Sequence, residues 1–292
     1  MNTNFKYVSP STKVLLSNGA EKFASELKIG DTLLSSIPSE ERMIVSISEH
    51  EASNYLIIPR YCNSPFIVSE LHHLPVLFDN KVVLININDF RRTEIKNQIS
   101  LIHEPIELQQ IYVTLEPYIL GIWLSNYDVI TPASVRFPKK NMTVVMFIVH
   151  FINKFNLEHV DGDDFIDITD KRLVLQFQKY DLFNTPTIPN PYKYNKSSIR
   201  ARLLAGFMDN NEPEVPMLTE KLKDDFCFLV HSLGMLTHTR RKENKWFVTV
   251  FYNTTFVIND FKVAKLEGQT KSLCLHLTGM APGILLPDFT MI

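Results

Sequence analysis

The distribution of apolar residues predicts short strands at both ends of the chain and helices in its middle. Alternating or β-rich runs, typical of strands, occupy 12–16, 43–48, 55–59, 66–69, 76–90 and 272–286. Apolar residues at helical spacing predict helices from near Thr114 to Asn126 and at 142–155, 197–208 and 219–233. Further alternating runs at 129–137, 173–177, 236–239 and 246–252 predict strands between those helices. We therefore expect an α+β fold.

Two of the predicted helices share one pattern, YILGIWLSN at 118–126 and RLLAGFMDNN at 202–211. Each has a glycine in mid-helix, and Gly121 and Gly206 are 206 − 121 = 85 residues apart. A small residue lets two helix backbones approach closely, so these helices are predicted to pack side by side as a pseudo-twofold seam. Each stretch ends in a polar residue, Asn126 or Asn211.

Both stretches resemble the paired LAGLIDADG helices of homing endonucleases, in the version carried by fungal vacuolar-ATPase inteins and the HO-type mating-switch nuclease. In that family the last Asp of each motif faces a shared divalent-metal site, with Mg²⁺ expected, for attack on phosphodiesters. Asn126 and Asn211 hold those catalytic and metal positions here. An amide offers an oxygen without a negative charge, so the resemblance implies that Mg²⁺ binding is weakened or lost.

Three acids lie near these positions in sequence, namely Asp128, Asp209 and Glu212. A shift of one or two positions turns a helical side chain through roughly 100° or 200°, away from the seam. We therefore do not count them as replacements, although Asp209 stays a candidate metal ligand. The alternative interpretation is that both stretches are ordinary buried helices.

The N-terminal strands are joined by turn signals at Asn18-Gly19 and Gly30-Asp31. This opening resembles a Hint domain, the β-fold shared by inteins and hedgehog-type autoprocessing proteins. In that family a Cys or Ser nucleophile stands seven residues before the position of Val14, and Tyr7 holds that place here. A phenol oxygen cannot make the acyl shift that a β-hydroxyl or β-thiol makes.

Ser69-Glu70-Leu71-His72 resembles the Thr-x-x-His block of the same family. There the hydroxyl and the imidazole polarise the scissile amide, which makes His72 the one splicing residue that is kept. A pair of histidines at a strand edge is an equally good interpretation. The tail 272–292 resembles the closing Hint strands but lacks the His-Asn pair with which inteins finish.

The resemblance implies a mostly-β, horseshoe-like Hint domain formed by both chain ends, with an inserted pseudo-twofold αββαββ-type LAGLIDADG domain. The expected boundaries are 1–110 and 259–292 for the Hint parts and 111–258 for the inserted domain. Only a handful of residues separate Asn211 from the next predicted helix, where the family has a β-hairpin. The second half of the inserted domain is therefore expected to be shortened.

The net charge of −2 gives no global basic field, so any DNA surface has to be local. Basic residues that would contact phosphates on such a surface gather in two places, Lys193, Lys196, Arg200 and Arg202, then Arg240, Arg241, Lys242 and Lys245. On another fold the same residues would be solvated turns.

The cysteines Cys62, Cys227 and Cys274 are odd in number and widely spaced, which fits neither a disulfide framework nor a zinc site. No apolar run approaches the ~18 residues that span a bilayer. We expect an intracellular monomer, nuclear or cytoplasmic, whose partner is double-stranded DNA and which has no membrane or small-molecule partner.

Three functions stay open. The first is a double-stranded DNA-binding protein of the homing-endonuclease family that has lost cleavage and splicing. The second is an active, Mg²⁺-dependent, site-specific endonuclease that uses displaced acids such as Asp209 and Glu212, and the two Asn substitutions count against it. The third is a structural remnant that binds no DNA, favoured by the near-neutral charge and the shortened second half.

Overall fold

The computed structural model describes residues 5–35, 40, 42–59, 65–88, 99–103, 105–126, 133–209, 214–252, 257–258, 261–279, 281 and 283–292. The chain divides into two compact units. The first comprises Met1–Ile106, Gly234–His238 and Phe251–Ile292, and the second comprises Glu107–Leu233 and Thr239–Val250. The domain boundaries predicted from the sequence lie after residues 110 and 258. The corresponding boundaries of the compact units lie after residues 106 and 250, and residues 234–238 also belong to the first unit.

Helices and strands are numbered along the described chain. The strands are β1 (Phe5–Val8), β2 (Lys13–Leu15), β3 (Glu21–Phe23), β4 (Thr32–Leu33), β5 (Arg42–Pro59), β6 (Phe66–Ser69), β7 (His73–Phe78), β8 (Lys81–Asn86), β9 (Ile99–Ile102), β10 (Val135–Pro138), β11 (His159–Asp161), β12 (Phe165–Ile168), β13 (Glu214–Met217), β14 (Leu236–Lys242), β15 (Lys245–Phe251), β16 (Val257–Ile258) and β17 (Phe261–Leu277). The helices are α1 (Pro117–Ser125), α2 (Met142–Phe155), α3 (Lys171–Lys179), α4 (Asn190–Lys193), α5 (Ser197–Met208) and α6 (Glu220–Ser232).

Strands dominate the first unit. A five-stranded sheet has the order β17-β1-β6-β5-β4, and β5 also pairs directly with β17. These two strands are 18 and 17 residues long, so the separate strands predicted at 43–48 and 55–59 are one continuous element. A four-stranded sheet has the order β16-β9-β7-β8, and β2 pairs with β3 across the Asn18-Gly19 turn, as predicted.

The core of the first unit follows from the alternation of its strands. Val8, Val68 and Ile57 lie on neighbouring strands of the large sheet and are fully buried, as is Leu275 on β17. Because side chains of a strand alternate between two faces, one apolar face per strand is enough to build this core. Cys274 of this unit is a buried thiol, and Cys227 of the second unit is another; Cys62 lies outside the described residues.

The same order of elements occurs twice between Pro117 and Phe251. One copy runs α1, β10, α2, β11, β12, and the other runs α5, β13, α6, β14, β15. Their sheets have the orders β10-β12-β11 and β13-β15-β14, so in both the first strand pairs with the third and the third with the second. The repeated topology agrees with the predicted pseudo-twofold organisation. Within the described residues, each copy has one strand after its first helix, where the predicted αββ order places two.

The second copy is shorter than the first. Helix α2 begins at Met142, 142 − 121 = 21 residues after Gly121, whereas α6 begins at Glu220, 220 − 206 = 14 residues after Gly206. The spacing from the helix glycine to the next helix is thus seven residues shorter in the second copy, as the sequence indicates.

Helices α1 and α5 pack backbone against backbone. A Cβ built on Gly121 would lie 2.2 Å from the carbonyl oxygen of Leu203 and 3.0 Å from the Cα of Gly206. A Cβ built on Gly206 would lie 2.2 Å from the carbonyl oxygen of Tyr118 and 3.0 Å from the Cα of Gly121. Each glycine therefore meets the carbonyl three residues before the other glycine. The predicted seam is confirmed, and its symmetry is visible in these contacts.

The strand predicted at 173–177 is wrong, because these residues belong to α3. Leu173, Val174 and Phe177 are buried, and positions i, i+1 and i+4 share one face of a helix. Asp170 caps this helix by accepting a hydrogen bond from the backbone N–H of Arg172. No helix of the described residues has the length and apolar character needed to cross a bilayer.

The close approach of α1 and α5 predicts that the Cβ of an alanine at either glycine destabilises the protein. Gly121→Ala and Gly206→Ala should each lower the free energy of unfolding by about 2 kcal/mol or more, because the new Cβ overlaps a backbone oxygen that cannot move alone. At an ordinary position inside a helix, replacing glycine by alanine raises the free energy of unfolding by about 1 kcal/mol. A decrease at Gly121 or Gly206 would therefore identify the steric overlap by its sign alone. Urea denaturation measures the change.

Gly162→Ala is the matched control, since its Cβ would meet only the carbonyl oxygen of Phe165, at 3.3 Å. A cost for Gly121→Ala no larger than that of the control would contradict the close approach of the two helices.

Candidate functional site

The end of α1 is closed by Asn126, the position at which the resemblance expects a metal-binding acid. The Nδ2 of Asn126 donates hydrogen bonds to the carbonyl oxygen of Ile122, at 2.9 Å, and to the Oγ of Ser125, at 2.8 Å. The amide therefore caps its own helix. Asn211, Asp128 and Glu212 lie outside the described residues.

Asp209 follows α5 and is tied to the other glycine helix. The hydroxyl of Tyr118 donates to its Oδ2 at 2.8 Å, and the Nδ2 of Asn141 donates to its carbonyl oxygen at 2.6 Å. Burial raises the pKa of Tyr118 above its ordinary value, and the Asp209 carboxylate raises it further. The carboxylate predicted as a candidate metal ligand thus bridges α5 to α1 through Tyr118.

The described part of the seam does not fit a divalent-metal site. No group of three His, Cys, Asp or Glu side chains comes together in the described ranges in a way that could hold a metal ion. Asn126 could offer only the neutral oxygen of its amide, while its nitrogen donates to Ile122 and Ser125. Mg²⁺ prefers several oxygen ligands that include carboxylates.

Two of the predicted phosphate contacts are wrong, because their side chains are buried. Lys193 is 7% exposed and its Nζ lies 2.9 Å from the Oδ1 of Asp225. Burial alone would lower the pKa of Lys193, but the charge and hydrogen bond of Asp225 raise it above its ordinary value. Lys193 therefore holds the segment before α5 against α6.

Arg200 is fully buried inside the second unit. Its Nη1 donates to the carbonyl oxygen of Ser232 and its Nε donates to that of Asn195, both at 2.7 Å. Burial lowers the pKa of Arg200 to about 10. A guanidinium satisfied by backbone carbonyls in the core serves the fold and cannot reach a phosphate.

The other predicted cations stand nearer to solvent. Arg202 forms an ion pair with Glu116, and Lys196 donates from Nζ to the Oε1 of Gln110 at 2.9 Å. Arg240 forms an ion pair with Glu214. The cations exposed around the hairpin of β14 and β15 are Arg240, Arg241, Lys242 and Lys245. Their contact with DNA stays a prediction.

Each three-stranded sheet has an outer face that carries an arginine, an acid and a phenylalanine. On the first sheet these residues are Arg136, Asp167 and Phe165, while Val135 and Phe137 point into the core. On the second sheet they are Arg240, Glu214 and Phe247, with a distance of 5.6 Å between the guanidinium and the ring centre. Arg136 is absent from the predicted contacts, although its place between two apolar residues of a strand marks it as outward-facing.

The first unit brings together two of the predicted splicing residues. The backbone N–H of Tyr7 donates to the Nδ1 of His72 at 3.0 Å. His72 is fully buried, and this burial lowers its pKa well below the ordinary value, with a further lowering from the charge of Lys6. His72 is therefore neutral and can accept a hydrogen bond from the amide that joins Lys6 to Tyr7.

Ser69 and the Tyr7 side chain do not complete a reactive group. The Oγ of Ser69 accepts a hydrogen bond from the N–H of Leu71 at 3.2 Å, within its own turn. Tyr7 lies opposite Cys274 in the β1–β17 pairing, and burial followed by a hydrogen bond with this thiol raises the pKa of its phenol. Imidazole and amide are in place, but the residue at position 7 has no nucleophile that can reach its own preceding carbonyl.

Comparison with known proteins gives distant structural likenesses. No family model matches the chain, and no curated protein matches its sequence. The homing endonuclease I-DmoI in complex with DNA and Mn is 11% identical, with 46% of this chain and 88% of that chain covered and a TM-score of 0.35. The gp41-1 intein is 20% identical, with 34% and 67% covered and a TM-score of 0.26.

Asn126→Asp should destabilise the second unit by about 1–2 kcal/mol in the absence of divalent cations. The substitution removes two donated hydrogen bonds, turns a carboxylate oxygen toward the carbonyl of Ile122 and adds a negative charge at a helix C-terminus. Urea denaturation with and without Mg²⁺ measures the effect. Asn153→Asp is the control, because Asn153 is exposed in the last turn of α2 and shares only the charge effect.

Mg²⁺ should not restore the stability of Asn126→Asp relative to that control. A selective rescue by Mg²⁺ would show that the seam can still assemble a metal site, and it would favour the endonuclease alternative.

The first unit should lose stability in mild acid because it buries neutral histidines. Burial lowers the pKa of His103 to about 4, against about 6.5 in an unfolded chain. The unfolded state therefore binds more protons as the pH falls below about 6.5, and stability decreases until the folded pKa is passed. His103 alone should cost about 2 kcal/mol between pH 7.5 and pH 5, and His72 adds to this in the same direction.

Denaturation curves of the wild type and of His103→Gln at both pH values measure this contribution. The loss of stability on acidification should be smaller in the variant, whatever the variant's stability at neutral pH. An unchanged difference between the two pH values would contradict the assignment.

Proposed function

We propose that this protein binds double-stranded DNA as a monomer, through the outer faces of the two sheets of its second unit, and neither cleaves DNA nor splices itself. The observation that carries the proposal is the seam at Gly121 and Gly206. The seam joins two copies of one topology, and its described end carries a capping amide where hydrolysis would need a carboxylate. The resemblance to the paired-motif homing endonucleases supports duplex binding without the family's chemistry.

The repeated topology of the second unit supports duplex DNA as the ligand. Two sheets related by a pseudo-twofold arrangement of elements match a duplex, whose two strands are related in the same way. Exposed cations stand on the second copy, where Lys242 and Lys245 lie at the turn between β14 and β15. Exposed lysines of this kind supply phosphate contacts that do not depend on sequence.

The loss of both reactions is supported by the residues at the two reactive positions. Activation of water on a phosphodiester needs a metal ion held by charged oxygens, and Asn126 and Asn211 supply none. Splicing needs a β-hydroxyl or β-thiol at position 7, where Tyr7 stands. The hydrogen bond between the Tyr7 amide and His72 is a structural contact without a reaction to serve.

A structural remnant without DNA binding is the second candidate, and one specific observation favours it. The arginines of the two outer faces are already neutralised by acids, Arg136 by Asp167 and Arg240 by Glu214. Arginines paired with acids contribute less to a counterion-driven affinity than cations without an acidic partner do.

We expect the purified protein, incubated with sheared DNA of its own source and Mg²⁺, to enrich particular fragments without producing new ends. Sequencing of the retained fragments and of all ends measures both properties at once. Affinity for an enriched fragment should fall linearly with salt on logarithmic axes, because bound phosphates release counterions.

Lys242→Ala combined with Lys245→Ala should make this salt slope shallower by about 2, one phosphate for each lysine removed. Lys154→Ala combined with Lys171→Ala is the matched control on exposed positions of α2 and α3. New ends at one site would overturn the assignment of Asn126 and Asn211 and restore the endonuclease. Absence of enrichment, with affinity insensitive to salt, would leave the structural remnant.

A further inference from the structure

Arg136 lies on the outer face of the first sheet, where two neighbouring side chains hold its guanidinium in place. It lies opposite Asp167 in the antiparallel pairing of β10 with β12. Its Nε donates to the Oδ1 of Asp167 at 2.7 Å and its Nη2 donates to Oδ2 at 2.8 Å. The guanidinium carbon also lies 5.1 Å from the centre of the Phe165 ring. A parallel pair of hydrogen bonds and an aromatic contact leave this side chain little conformational freedom.

The pair with Asp167 uses only part of the guanidinium. An arginine has five N–H groups, and Asp167 engages the Nε–H and one N–H of Nη2. The two N–H groups of Nη1 and the second one of Nη2 remain at the far end of the side chain. That side chain is 30% exposed, so a ligand on the outer face can reach it. The available donors form a planar fork that faces away from the acid.

The negative charge of Asp167 determines which part of a nucleic acid the free end of the Arg136 guanidinium can bind favourably. A phosphate would gain from Arg136 but would also approach the Asp167 carboxylate, and the two charges of the pair nearly cancel. A base edge is neutral and does not suffer from the neighbouring acid. In the major groove, guanine presents two adjacent acceptors, O6 and N7, and this pair matches the end of an arginine fork.

We propose that Arg136 reads a guanine of the bound duplex, and that Asp167 and Phe165 are positioning residues that hold it for this purpose. The inference rests on the proposed function, and it adds a base preference to an otherwise sequence-neutral affinity. The acid therefore costs phosphate affinity and contributes selectivity.

The second sheet carries a looser version of the same arrangement. Arg240 is paired with Glu214 and lies over Phe247, but it is held through one nitrogen and its side chain is 52% exposed. Arg240 has more freedom than Arg136, so the sharper base preference should belong to Arg136.

A selection from randomised duplexes, followed by replacement of single bases, tests this inference with the unaltered protein. We expect the selected pool to share a guanine at one position. Replacement of that guanine by 7-deazaguanine, which lacks the N7 acceptor, should lower affinity about fivefold or more, as expected for half of a bidentate contact. The same replacement at other guanines should have no effect.

Two variants separate base reading from a structural role. Arg136→Lys keeps the charge but loses the fork, so its selected pool should lose the guanine and its affinity should no longer respond to 7-deazaguanine. Asp167→Asn removes the opposing charge, so guanine discrimination should fall while affinity for random duplex rises. A merely structural role for Asp167 would also raise affinity for random duplex, by charge alone, but would leave the discrimination for guanine unchanged. Lys154→Ala serves as the control on an exposed residue of α2.

The outcomes distinguish this inference from the proposed function. Duplex binding without any enriched guanine, or with the same 7-deazaguanine effect in Arg136→Lys, would overturn the role of Arg136 and leave the proposed function standing. Absence of duplex binding by the wild type would overturn both.

Discussion

The contact of Gly121 with Gly206 is the constraint on which the second unit depends. Two helix backbones meet there at a distance that leaves no room for a single methyl group. Helix α1 is buried along its whole length, so side-chain chemistry is confined to its ends and to the sheets around it. A fold of this kind can keep its packing while the residues at the helix ends change. Asn126 is an example of such a residue, because its amide donates to the carbonyl of Ile122, which a carboxylate would repel.

The distribution of positive charge follows from the same packing. Several cations that look available in the sequence are structural, and they fall into two kinds. Arg200 and Lys193 hold segments of the core together through carbonyl oxygens and through Asp225. Arg136 and Arg240 stay at the surface but are paired with acids. Lys193, Arg136 and Arg240 are therefore compensated by acids of the protein itself, and in the proposed DNA complex the orientation of the two paired arginines is what would provide selectivity.

The parts of the fold that the sequence predicts are those with a local signal. The glycine seam follows from a repeated motif, and the β2–β3 hairpin follows from an Asn-Gly turn. The family resemblance singled out Tyr7 and His72 as residues of two separate motifs, and the structure joins the Tyr7 amide to His72 by a hydrogen bond across 65 residues.

The parts that the sequence did not predict depend on distant partners. The burial of Arg200 and Lys193 is decided by Ser232 and Asp225, each 32 residues away. The pair of Arg136 with Asp167 requires a strand register that no turn signal fixes. Helix α3 was missed because the window 173–177 is only five residues long, and apolar positions over so short a stretch satisfy the patterns of both a strand and a helix.

The long pairing of β5 with β17 has a consequence for how the chain acquires its structure. Residues 42–59 can complete their main pairing only after residues 261–277 have been synthesised, more than 200 positions later. Contacts of such high sequence separation close slowly, since a long loop has to be ordered before they form. The second unit, which lies entirely within that loop, can reach its compact state earlier. Until β17 has been synthesised, the edge of β5 from Ile44 to Pro59 lacks its partner, and an unpaired strand edge of this length is a template for aggregation.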